Sequence, residues 1–226
     1  MNYQEFKKHL YKYQDLKYRE GALIISNSPY DMIGVRAPDL RRLINEHYLD
    51  EDLLLEEFEI DDLQELAVAF FTIGLKRCKS FKEQLEFLDK YIYKAKGWAV
   101  TDSLNRSIKK PTFDEFYPFF AAFSKSEHTF KRRMGYILGM KFANDKRIIK
   151  TFKYFSFYEE YMVMMAEAWL LCEIAIYHQN EVYEFLSSIN DIVLIRKTIC
   201  KICDSFRFDD ESKNRFKNLR LNLKNK

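Results

Sequence analysis

Glycine and proline are scarce, with 6 and 4 in 226 residues. A β-sandwich spends both on its many turns, so their scarcity argues against that class. No GxGxxG and no GxxxxGK[ST] occurs, which removes the usual dinucleotide and phosphate loops. No long apolar run is present either. The most apolar stretch, Tyr161 to Ile176, is interrupted by Glu167 and Glu173 and is too short to span a bilayer. The opening Met-Asn-Tyr-Gln-Glu-Phe-Lys-Lys lacks an apolar signal core, so a cytoplasmic protein without membrane partners is expected. Four cysteines, Cys78, Cys172, Cys200 and Cys203, include one Cys-x-x-Cys, but no further ligands cluster near it. They read as core thiols in a reduced compartment. His47, His128 and His178 stand apart at helix ends, so neither a metal nor a cofactor is expected.

What the chain has in abundance is aromatic residues (Phe 20, Tyr 15) and charges of both signs, interspersed. That is the profile of amphipathic helices with charged outer faces. The charge is unevenly placed. Residues 1–90 carry 13 Lys+Arg against 18 Asp+Glu, and residues 91–226 carry 24 against 16. A basic half suits a polyanion, although lysines on solvated helix backs give the same bias.

Taken in order, an amphipathic segment at Tyr3–Asp15 is followed by a less regular stretch through Gly21, and Ser26-Asn27-Ser28-Pro29 breaks any helix. Gly34 marks a loop, and Pro38 suits the first turn of a helix running to about His47. A short acidic helix is expected at Glu51–Phe58, then a longer one capped by Asp61-Asp62, with Leu63, Leu66, Ala67, Phe70, Phe71 and Gly74 on its apolar face. Ser80 caps Phe81–Tyr93, and a helix through Trp98 and Asp102 ends near Lys109-Lys110-Pro111. Helices follow at 113–123, 127–142, 145–153, 159–177, 180–188, 191–206 and 212–221. Helical pairs of roughly 30–45 residues without strands suggest stacked hairpins of the HEAT kind. The expected fold is all-α, a right-handed superhelical solenoid of about six antiparallel helical pairs, forming one domain over 1–226.

Trp98 and Asp102 are four apart, so a helix places them on one face. A ring beside a carboxylate can hold a cationic group, although a packed aromatic and a solvated carboxylate have the same spacing. Trp169 lies in the Ala-x-Ala-Trp-Leu-Leu run, whose all-round apolarity reads as core.

Three further stretches accompany that pair. One is Ser126-Glu127-His128-Thr129-Phe130-Lys131-Arg132-Arg133-Met134-Gly135, another is Met164-Met165-Ala166-Glu167-Ala168-Trp169, and the third is Ile195-Arg196-Lys197-Thr198-Ile199-Cys200-Lys201. In this order, with Gly34-Val35-Arg36-x-Pro38-x-Leu40-Arg41 before them, they resemble the AlkD-like family of DNA alkylation repair proteins. That family is built from HEAT-like repeats.

The resemblance implies a monofunctional glycosylase acting on N3- or N7-alkylated purines in duplex DNA, with the duplex in a concave cleft and no deep base-flipping pocket. A monomer is expected. Asp102 matches the family's catalytic carboxylate, and Trp98 matches a tryptophan that packs on the deoxyribose. Arg133 matches the arginine beside the lesion, with Arg132 its rival. Arg36, Arg132, Lys197 and Lys201 are the expected nucleic-acid contacts. Two positions depart from the pattern. Lys201 stands where catalytic members carry a second tryptophan, and an N-terminal aromatic of active members falls near Ile25. Two other readings therefore remain: a non-catalytic HEAT-like protein binding damaged or branched DNA, and a helical scaffold for a protein partner.

Overall fold

The computed structural model describes residues 1–26, 28–60, 62–155 and 160–222. Among them the chain is all-α, and no helix is long and apolar enough to cross a membrane. The chain divides into two compact units, Met1–Lys110 and Pro111–Lys226.

The first unit contains α1 (Tyr3–Tyr11), α2 (Leu16–Ser26), α3 (Ala37–His47), α4 (Gln64–Arg77), α5 (Phe81–Tyr91) and α6 (Trp98–Leu104). α4 is its centre and packs against α3, α5 and α6. The sequence explains that place, because Leu66 through Leu75 is apolar nearly all round and only Val68 escapes full burial. Gly74 lets α5 approach, since a Cβ there would stand 2.1 Å from the Phe87 ring. Asn2 and Glu5 form a capping box on α1, and Ser80 accepts the Glu83 N–H to start α5 as expected.

The second unit contains α7 (Phe113–Ser124), α8 (Thr129–Gly139), α9 (Tyr161–Ala175), α10 (Gln179–Ser188), α11 (Ile192–Asp204) and α12 (Asp210–Asn222). Neighbours pack in sequence: α7 on α8, α8 on α9, and α11 on both α9 and α12. Thr112 and Glu115 close a capping box on α7, and Asp191 caps α11. Phe116, Phe120, Tyr136, Leu170, Leu171 and Ile195 are fully buried and form the core.

Several local expectations need correction. The less regular stretch before Gly21 belongs to a regular helix, α2, which runs through that glycine to Ser26. The acidic segment 51–58 forms one 3-10 turn, Leu55–Glu57. The cap of α4 is Leu63, with no side-chain hydrogen bond; Asp62 is not the cap and Asp61 lies outside the described residues. Residues Lys146–Tyr154 are 3-10 rather than α. Among the thiols, Cys172 is the buried one and Cys200 is exposed, so the core reading fails for the latter. Burial pushes Cys172 up to about 11.

Candidate active site

α6 is only two turns long, and its place is set by what flanks it. The buried phenol of Tyr30 donates to the Lys94 carbonyl at 2.8 Å and accepts from the Lys96 N–H at 3.3 Å, fixing the chain that enters α6. Val100 and Leu104 are buried, as a helix packed on α4 requires. Trp98 and Asp102, on the remaining face, are both half-buried. The Trp98 indole N–H donates to the Ser26 carbonyl at 2.9 Å, binding α6 to the end of α2. The buried Thr101 hydroxyl lies 3.0 Å from the Trp98 carbonyl and 3.3 Å from Asp102 Oδ1.

Trp98 and Asp102 line one cavity of 790 Å³, walled by α2, the 32–35 segment, α3, α4 and α6. Its size is that of a small-molecule site. Ile25, near which the resemblance expects an aromatic, lines the same cavity and is 76 % exposed.

Another part of the cavity wall is held by a buried carboxylate. Glu65 accepts the N–H groups of Ile33, Gly34 and Val35 at 3.0, 2.8 and 3.0 Å. Gly34 sits at φ +97°, and a Cβ there would lie 2.7 Å from the Asp15 carbonyl oxygen. Isolated bridges from Gln14 to Val35 and from Asp31 to Leu63 pin the same segment. Sequence reading missed Glu65, because nothing local to 64–66 marks a carboxylate whose partners lie about thirty residues earlier. Arg36 follows this loop, donates to Asp15 at 2.8 Å and lies 4.9 Å from the Tyr18 ring centre. The Tyr18 backbone N–H and then the Arg36 guanidinium hold Asp15 below the usual carboxylate range.

A family model described as DNA alkylation repair enzyme matches residues 6–201. The chain belongs to the DNA alkylation repair enzyme family. No curated protein matches it. Membership points to DNA as the partner and to a role in alkylation repair. The matched span takes in the cavity-lining residues and also the basic residues of α8 and α11.

In this DNA alkylation repair family member both α8 arginines are buried. Arg133, 5 % exposed, donates to the Met162 carbonyl at 2.5 Å. Arg132 donates to the Ser126 carbonyl at 2.6 Å and forms an ion pair with Glu160, which also accepts from Thr129 at 2.8 Å. Burial acts to raise Glu160, but the hydrogen bonds from Arg132 and Thr129 outweigh it and hold the carboxyl below its ordinary value.

Lys197 and Lys201 are half-buried, one turn apart on α11. Lys197 Nζ lies 5.8 Å from the Tyr161 ring centre, and Lys201 Nζ lies 5.5 Å from that of Trp169. The core placement expected for Trp169 is therefore wrong. The ring is half-buried, and its indole N–H donates to Glu173 at 3.3 Å. Glu173 also pairs with Arg207.

Proposed function

We propose that this chain hydrolyses the N-glycosidic bond of N3- or N7-alkylated purines in duplex DNA, acting as a monomer with residues 1–226 as one HEAT-like domain. The observation that carries the reading is that the Trp98 ring and the Asp102 carboxylate line one cavity. Alkylation makes the base cationic, so it leaves without a general acid. The bond between C1′ and the base nitrogen breaks, its electron pair goes to the base, and the sugar becomes oxocarbenium-like. Asp102 stabilises that positive charge and orients a water whose oxygen bonds to C1′, and the water's proton passes to the carboxylate or to solvent. Trp98 packs on the deoxyribose; Arg133, bonded to the Met162 carbonyl in the second unit, reaches DNA only when that bond opens. Arg36, Lys197 and Lys201 contact phosphates, with Arg132 holding the start of α8.

The test is release of base from methylated duplex DNA. Wild type should exceed spontaneous depurination, and Asp102→Asn should lower the rate by about a hundredfold or more. No release by the wild type would end the glycosylase reading. It would leave a non-catalytic DNA-binding protein, which Ile25 and Lys201, standing where aromatics are expected, favour as the second reading.

A further inference from the structure

Of the cations already assigned to DNA, only Arg36 belongs to the unit that holds Asp102, and it is bonded to Asp15. Three other cations line the cavity that contains Trp98 and Asp102. They are Lys17 of α2, Arg41 of α3 and Arg106 just past α6. All three are exposed. Arg41 donates to the Ala37 carbonyl of its own helix, and none of the three pairs with a carboxylate among the described residues. Their convergence runs against the local composition, since acids outnumber bases by 18 to 13 over residues 1–90. The carboxylates on the same wall are Asp102 and Glu65, and Glu65 is buried and filled by three backbone N–H groups. Like charges gathered on one concave wall form a site for an anion.

We propose that Lys17, Arg41 and Arg106 bind phosphates of the strand that carries the lesion, laying its backbone across the cavity with one sugar toward Asp102. The inference rests on the glycosylase reading of the same site. Arg106 follows Asp102 by four residues, and Asn105 between them keeps helical backbone angles. The two side chains therefore share a face about one turn, or 5.4 Å, apart along the axis. A deoxyribose is bonded to phosphates on both sides, so a sugar at Asp102 brings a phosphate to Arg106. That phosphate also removes a conflict. A bare guanidinium one turn from the developing sugar cation would oppose the charge that Asp102 stabilises, and a phosphate between them cancels it. The base stays in the duplex, and no pocket for it is needed.

Binding to a duplex that carries a tetrahydrofuran abasic analogue tests this without turnover, because the analogue has no glycosidic bond. Affinity of the full chain is measured over a range of salt. Lys17→Gln, Arg41→Gln and Arg106→Gln should each lower the slope of log affinity against log salt by about 0.9, a loss of about eightfold at about 0.1 M salt. Arg106→Lys keeps the charge and should keep the slope. Lys82→Gln removes an exposed cation of α5 outside the cavity wall and should leave the slope unchanged. A fall in fewer than two of the three glutamine variants, an equal fall in Lys82→Gln, or no binding by the wild type overturns the inference. Base release from methylated duplex is measured in parallel. Release with unchanged slopes sinks the inference alone, and lowered slopes without release sink the glycosylase reading alone.

Discussion

The Trp98 indole N–H donates to the Ser26 carbonyl across 72 residues of sequence, so the ring at the candidate site is also a tie between α6 and α2. Trp98→Phe keeps an aromatic face and removes the tie. The variant should lose about 1 kcal/mol of stability, the worth of one such hydrogen bond, measured by urea unfolding. Unchanged stability would mean that the bond contributes nothing to holding α6.

Glu65 and Gly34 should behave as one device. Glu65→Ala strands three buried N–H groups and should cost about 3 kcal/mol or more. Gly34→Ala forces a Cβ into a left-handed backbone against Asp15 and should cost about 1–3 kcal/mol. Because both act on one loop, the double variant should cost less than the two added together. Additive losses would show that the loop's shape does not depend on the carboxylate.

Acid should weaken the Arg132–Glu160 pair. Glu160 titrates below its ordinary value of 4.5 when folded, so the unfolded chain takes up its proton first as pH falls. The stability it contributes is complete above the unfolded value and is lost as pH drops through the folded one. Glu160→Gln should flatten that part of the stability profile and also lower stability at pH 7, because it removes a carboxylate charge from beside the buried Arg132 guanidinium. A Glu160→Gln profile with the wild-type acid slope would assign the loss to other carboxylates.

Much of the helical plan was legible because its signals are local. The Thr112–Glu115 box, Ser80 and the apolar runs of α4 and α9 each fix an element within a few residues. α2 was missed because Gly21 and weak amphipathicity hide it, although the folded chain holds its end through Trp98. The spacing of Trp98 and Asp102 follows from helix geometry alone, so that pair could be read. Glu65 could not, because its environment is made by residues about thirty positions earlier. Trp169 was misread because an apolar run shows which helix is buried and not which edge stays open.

α6 spans seven residues, fewer than an isolated helix needs to hold its shape in water. The Trp98–Asp102 geometry therefore exists only once α2 and α4 are in place around it. A chain with a loosened first unit would hold no ordered pair. The shortness of α6 makes the Trp98–Asp102 arrangement a property of the assembled first unit rather than of the segment that carries it.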